Sequence, residues 1–264
     1  MDQRAIYPSD LTDKEWDTIK KIIPGESKLG RPARYAKREI LNAIFYIVRS
    51  GCAWRMLPHD LPPWRISYYY FMKWKQLGLW LKIHDHLRDL VRVKAGKKKA
   101  PTAAIIDSQS VKTANHGGLR GYDAGKKVTG RKRHILVDTL GLILSLKVHP
   151  ADIQDRDGAR LLLSTLDSSF GWLKLIWADA AYGGKLIEWV ADLKRHCWVK
   201  LEIIRRCDNI KGFKILPRRW VVERTFGWLS KFRRMSKDYE TSIESAEALI
   251  LISMSRIMVA RLAR

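Results

Sequence analysis

Apolar positions in the first hundred residues recur at helical spacing. In LTDKEWDTIKKII, Leu11, Trp16, Ile19, Ile22 and Ile23 form one stripe, with Ser9 and Thr12 as candidate caps and Pro24-Gly25 as the stop. A second helix is expected from near Pro32 through REILNAIFYIVRSG. Ile40, Ile44, Ile47 and Val48 share a face there, and Gly51 closes it. WRMLPHDLPPW reads as a Pro-rich turn, followed by helical SYYYFMKWKQLGLW and LKIHDHLRDLVRV. Short helices with a tight turn before a basic, aromatic one fit a helix-turn-helix unit or a plain helical bundle, and periodicity does not separate the two. The basic segment VKAGKKKAPT reads as a linker, so a boundary is drawn between an all-α region, 1–98, and a second domain, 99–264.

Beyond the linker the period changes. TAAIID is a short apolar run ending in an acid. RHILVDTLGLILSLKVHP is two β-rich runs joined at Gly141, the pattern of a hairpin. RDGARLLLSTLDSS is helical, with Asp155 or Asp157 near its cap. LKLIWAD is another apolar strand ending in an acid. KLIEWVADLKRH is a helix, CWVKLEII a strand, and Pro217 opens the helical stretch RRWVVERTFGWLSKFRR. A last apolar helix fills 244–262. Strands alternating with helices imply an α/β domain, a sheet with parallel members covered by helices. A strand, a hairpin and then alternating elements is the order of a ribonuclease H-like domain.

Charge narrows the partner. Fifty Lys and Arg against 27 Asp and Glu leave a net charge of +23, with a sequence pI of about 10.1. Such a field attracts polyanions, nucleic acid first; ribosomal-type RNA packing or a solvated basic surface is the plainer reading, and composition alone does not separate these. Hydrophobic residues make up 46%, enough to bury a core. Cys52, Cys197 and Cys207 form no paired motif, so neither a disulfide framework nor a structural zinc site is expected. The N-terminus lacks a signal-peptide pattern and no apolar run is long enough to span a bilayer, so a soluble, cytoplasmic protein is expected.

Two acids stand at the ends of buried-strand patterns: Asp107 after AAII and Asp179 after LIWA. Carboxyl ends of strands are where α/β sheets place their sites. If the strands are neighbours, the two carboxylates repel each other unless a cation neutralises them, and hard divalent ions such as Mg²⁺ prefer oxygen ligands. A turn or helix-cap role for each Asp is the plainer alternative. Glu223 lies in a basic stripe with Arg219, Gly227, Lys231 and Arg234 at helical spacing; residues 205–237 hold eleven Lys or Arg and only two acids. That stripe suits a DNA backbone, whereas an i,i+4 ion pair of Arg219 with Glu223 explains the acid alone. RGYDAGKKVTGRKRH reads as a flexible DNA-contacting loop through Lys126, Lys127, Arg131, Lys132 and Arg133, or as a solvated charge run. Asp138, Asp152, Asp155 and Asp157 read as hairpin and capping residues, with Asp155 the best substitute for a missing site acid. His116, His134 and His149 are scattered and show no metal-ligand spacing. Trp177 and Trp220 flank the acids and read as packing residues rather than base-stacking ones.

The runs IIDSQSVKT, RGYDAGKKVTGRKRHILVDTLG, WADAAYGG and LPRRWVVERTFGWLSKFRR, with LTDKEWDTIKKIIP and GCAWRMLPHDLPPW before them, resemble bacterial insertion-sequence DDE transposases of family five over nearly the whole chain. The resemblance implies a ribonuclease H-like catalytic domain whose triad is Asp107, Asp179 and Glu223. The family's C-terminal signature of Tyr, Arg, Glu and Lys is matched at Arg219 and Glu223. Its Tyr position falls on Leu216 and its Lys position on Ser230, with Lys231 one residue later.

The activity implied by the resemblance is metal-dependent phosphodiester hydrolysis at the element's ends and joining of the freed 3′-OH to target DNA, with no covalent protein–DNA intermediate. Two ions, Mg²⁺ or Mn²⁺, would be bridged by Asp107 and held one each by Asp179 and Glu223. Arg219, Lys231 and Arg234 would contact the DNA backbone. The expected partners are terminal repeats, target DNA and a second copy of the chain on DNA, in a bacterial, nucleoid-associated setting. Two other readings stay open: a catalytically inactive transposase-derived DNA-binding protein, and a ribonuclease H-type nuclease without strand transfer.

Overall fold

The computed structural model describes residues 4–25, 34–114, 118–166, 171–192, 199–204 and 218–264. Pro32, His116, Cys197, Cys207, Leu216 and Pro217 lie outside them. Contacts divide the chain into two compact units that interleave in sequence. The first comprises Met1–Lys94, Leu229–Ser236 and Ala248–Arg264; the second comprises Ala95–Trp228 and Lys237–Glu247.

The first unit is helical. α1 (Asp13–Ile19) starts at a capping box in which the Thr12 hydroxyl takes the Glu15 amide and the Glu15 carboxylate takes the Thr12 amide. α2 (Lys37–Ser50) buries Ile40, Ile44, Ile47 and Val48, the stripe read from the sequence, and ends at Gly51, whose φ of 75° is left-handed. A 3-10 turn at Trp54–Met56 leads to α3 (Trp64–Gln76) and α4 (Leu79–Lys94). Ala43, Ile47, Leu57 and Leu61 form one apolar cluster, edged by Tyr7, Tyr46, Trp54 and Trp64. The C-terminal stretch returns to this unit, where Arg256 pairs with buried Glu15 at 2.7 Å.

Among the described residues, the second unit is built on a six-stranded sheet. β1 (Ala103–Lys112) pairs antiparallel with β3 (Val128–Asp138) and parallel with β5 (Leu175–Ala178), which pairs parallel with β6 (Lys200–Ile203). On its other edge β3 carries β4 (Ile143–Pro150), and further along it β2 (Gly121–Asp123), a strand the sequence pattern did not announce. The β3–β4 hairpin turns through Gly141 at φ 82°, as its position between two β-rich runs predicts. α5 (Asp155–Leu163) and α6 (Lys185–Asp192) bury Ala159, Leu162, Leu186 and Val190 against Ala104, Ile106, Leu136, Ile176 and Ala178 of the sheet. Alternate residues of a strand face opposite ways. Ile105 and Asp107 therefore face away from the layer that Ala104 and Ile106 share with α5 and α6.

α7 (Trp220–Ser230) is fixed to the hairpin turn by its own polar side chains. The Thr225 hydroxyl, fully buried, donates to the Gly141 carbonyl at 2.8 Å, and Arg224 donates to the Leu140 carbonyl at 3.0 Å. α8 (Ile243–Ala263) completes the chain. Among the described residues no helix is long and apolar enough to cross a membrane.

Candidate active site

β1 and β5 set the geometry. Their parallel register pairs Ala103 with Leu175 and Ile105 with Trp177. Carried two residues further, the same offset puts Asp107 level with Asp179. Asp179 stands at the strand's carboxyl end, as predicted. Asp107 does not: β1 continues to Lys112, so this acid sits mid-strand. The polar run DSQS stays in the strand because β3 supplies an antiparallel partner as far as Lys112.

Burial pushes the Asp107 carboxyl up to about 6; the Ser108 amide, donating to it at 2.7 Å, opposes that rise, and the nearby Asp179 adds to it. Arg219 and Lys126 pull the other way. An acid pair compensated this weakly is suited to a hard cation with oxygen ligands. Asp179 is also the cap of the 3-10 turn Ala180–Tyr182, where its Oδ1 accepts the Ala181 amide at 2.8 Å.

Glu223 reaches the site through an arginine. One guanidinium nitrogen of Arg219 lies 3.4 Å from Asp179 Oδ2 and 3.8 Å from Glu223 Oε1. The Glu223 side chain is 57% exposed, so it can still turn toward a ligand. Among the described residues, no three His, Cys, Asp or Glu side chains are gathered into a ready metal cage. Asp107 and Asp179 thus fit a shared divalent ion by their chemistry and register, while Glu223 stands in an outer position held by Arg219.

The remaining basic residues separate into two groups. Lys126 and Lys127 are exposed at the β2–β3 turn, and the Lys126 ammonium is 3.5 Å from the Ser108 carbonyl, beside the acid pair. Arg131, Lys132 and Arg133 are buried on β3, which corrects the reading of this segment as a flexible DNA-contacting loop. Arg131 is spent on Asp238 at 3.0 Å and on the carbonyls of Leu119, Glu240 and Thr241. Lys132 pairs with Asp155 at 3.1 Å and donates to the Ile153 carbonyl at 2.8 Å. Burial lowers the Arg133 guanidinium to about 10. In this strand, basic residues serve as internal cross-links. Lys231 lies exposed just past the end of α7, while Arg234 is buried in the following 3-10 turn and donates to the Cys52 carbonyl at 3.1 Å. Both belong to the first unit.

Trp177 is buried with the Arg218 guanidinium 4.4 Å from its ring centroid, and Trp220 is partly exposed with Arg224 at 4.3 Å. Asp155, the substitute acid, is already held by Ser108 at 2.8 Å and Lys132, so it is not free for a metal. The histidines hold a group that sequence reading missed. His134 and His149 stack, with Nδ1 of one 2.9 Å from Nε2 of the other. The hairpin register carried the signal: His134 pairs with Lys147 and His149 with Lys132, so the two rings are diagonal neighbours on one face.

Residues 98–258 match the family model "Transposase DDE domain", more than half of the chain. The chain belongs to the DDE transposase family. The matched region therefore has the ribonuclease H-like fold, consistent with the mixed α/β sheet described above. Residues 11–84 match a second family model, "Putative transposase of IS4/5 family". The chain is 33% identical over 69 residues to an uncharacterized protein of Sinorhizobium fredii, covering 26% of this chain and 55% of that protein. It is 24% identical over 117 residues to the uncharacterized 16.2 kDa protein of insertion element IS402 of Burkholderia cepacia, covering 40% of this chain and 76% of that protein. The chain thus spans only about half of the first relative. No solved structure matches it. DDE transposases generally work with divalent metal ions, in keeping with the chemistry of the Asp107–Asp179 pair.

Proposed function

We propose that this DDE transposase cleaves the ends of an insertion element at Asp107, Asp179 and Glu223 and joins the freed 3′-OH to target DNA. The observation that carries the reading is the pair of aspartates level on adjacent parallel strands, with Arg219 spanning Asp179 and Glu223. Asp107 and Asp179 would hold Mg²⁺ or Mn²⁺, two ions per site, with Glu223 joining them. When bound, such ions activate the attacking hydroxyl and stabilise the leaving oxygen.

The chain's own groups do the rest. Arg219 exchanges its carboxylate partners for phosphate oxygens of the scissile strand, a charge-assisted contact of similar strength. That exchange releases Glu223 to turn inward. Lys126 and Lys127, exposed beside the acid pair, track the DNA backbone, with Lys231 as a further phosphate contact. The helical region 1–98 recognises the terminal repeat, and two copies bring two ends together. The region 99–264 carries the chemistry.

The test is cleavage of a labelled duplex carrying the element's terminal repeat, with Mg²⁺ or EDTA, by wild type and Glu223→Gln. Metal-dependent cleavage that Glu223→Gln loses while still binding DNA supports the proposal. The competing reading, a DNA-binding protein without catalysis, draws on the outer position of Glu223. It is favoured if the duplex is bound but uncut under every divalent ion tried.

A further inference from the structure

Behind the acid pair, on the face of the sheet that carries α5 and α6, three polar side chains run in one buried line that ends on a backbone carbonyl. The Tyr182 hydroxyl is 2.8 Å from His134 Nε2, His134 Nδ1 is 2.9 Å from His149 Nε2, and His149 Nδ1 is 2.9 Å from the Pro150 carbonyl. Tyr182 and His134 are fully buried, and His149 nearly so.

The protons in this line have only one neutral arrangement. A carbonyl accepts, so His149 Nδ1 carries its hydrogen and His149 Nε2 must accept from His134 Nδ1. His134 Nε2 is then bare and accepts from the Tyr182 hydroxyl. Burial supports this uncharged form by pushing His134 down to about 3. Gly158 of α5 makes room for it: a side chain there would meet His149 Nε2 at 2.5 Å and the His134 ring at 2.7 Å.

Nothing in the cleavage chemistry requires two neutral imidazoles in the core. Their effect is mechanical. Tyr182 ends the short turn that begins at Asp179, and its hydroxyl fastens that turn through His134 to β3, the strand whose Ile135 pairs with Asp107 of β1. We infer that Tyr182, held by the His134–His149 pair, is a positioning residue that fixes Asp179 against Asp107. The inference rests on the reading of those two acids as the ion-holding pair, and it makes Tyr182 a support rather than a participant.

The experiment uses the full chain as wild type, Tyr182→Phe, His134→Leu and His134→Gln. Exchange of backbone amides around Ala181 is followed by mass spectrometry without metal, and free Mn²⁺ is followed by electron paramagnetic resonance during titration. Tyr182→Phe and His134→Leu are expected to speed exchange in the turn and to weaken Mn²⁺ binding about ten-fold, the lower range for loss of a group that orients a metal ligand. His134→Gln, whose amide both donates and accepts, is expected to recover most of both signals. A general loss of fold would raise exchange across the whole sheet instead. Exchange at the wild-type rate in folded Tyr182→Phe and His134→Leu overturns the inference. If Asp107→Asn leaves Mn²⁺ binding unchanged, the ion-holding reading fails by itself, and the exchange measurement decides the support role separately.

Discussion

Arg219 places a guanidinium nitrogen 3.4 Å from Asp179 Oδ2, so one side chain cross-links the carboxyl end of β5 to the start of α7. The same nitrogen is 3.8 Å from Glu223, one helical turn along. An i,i+4 pair on a solvated helix accounts for the second contact but not for the first. Arg219 is therefore predicted to matter for catalysis more than for folding. Arg219→Gln should cut the rate of end cleavage about 100-fold, in the range seen when a preorganised charge is removed. The salt slope of DNA binding should fall by about one phosphate contact. Its melting temperature should stay near that of wild type. Unchanged cleavage with an unchanged salt slope would remove Arg219 from the site.

Asp107 poses a stability conflict. Its folded carboxyl titrates at about 6 against an ordinary 3.8, chiefly because it is buried. Between those values the folded chain binds more protons than the unfolded chain, so this residue's contribution to stability falls as pH rises through that window. Above pH 6 the penalty is fully present. Asp107→Asn keeps the shape and an acceptor for the Ser108 amide, and it should stabilise metal-free protein at pH 7 by about 1–3 kcal/mol while abolishing cleavage. Urea denaturation at pH 4 and pH 7 measures it. A variant less stable than wild type at pH 7 would show that Asp107 is not destabilised by its setting.

Position and register explain what the sequence disclosed and what it hid. The apolar runs that end in Asp107 and Asp179 mark the strands that carry the acids, and Gly141 marks the hairpin, because both are local properties of the chain. The mid-strand place of Asp107 was hidden. Nothing local in DSQSVK announces a strand, and only pairing with β3 makes it one. The buried arginines of β3 were hidden for the same reason. Arg131 looks like a solvated charge until Asp238, more than a hundred residues away, comes to meet it. The histidine pair lay between these cases, since the hairpin register contains it and only the length of the turn is needed to derive it.

Gly141 links the hairpin to the site. Its φ of 82° disfavours any side chain, and a Cβ there would lie 2.8 Å from the Thr225 hydroxyl and 3.0 Å from the Trp228 ring. These contacts seat α7, which carries Glu223. Gly141→Ala should cost at least about 1 kcal/mol from backbone strain alone. It should also lower cleavage beyond the loss of folded protein, because α7 must shift. Cleavage per folded molecule, corrected by a melting curve, separates the effects. Equal activity per folded molecule would mean that the turn does not position Glu223.

The basic run from Lys126 to Arg133 yields the sharpest contrast, since adjacent residues of one charge should fail in opposite ways. Lys126 and Lys127 are exposed at the β2–β3 turn, beside the acids. Replacing both by Ala should leave the melting temperature nearly unchanged, weaken binding to any duplex, and reduce the salt slope by about two contacts. Arg131 is fully buried against a buried Asp238 at 3.0 Å. Arg131→Ala leaves that buried carboxylate without its charged partner, which typically costs about 3–5 kcal/mol. The protein should then express poorly or melt well below wild type, with normal affinity in whatever fraction folds. Binding isotherms at several salt concentrations, with thermal melts of the same samples, decide between them. If Arg131→Ala were stable and lost DNA affinity selectively, β3 would have to open toward DNA and its cross-links to Asp238 and Thr241 would have to be exchangeable.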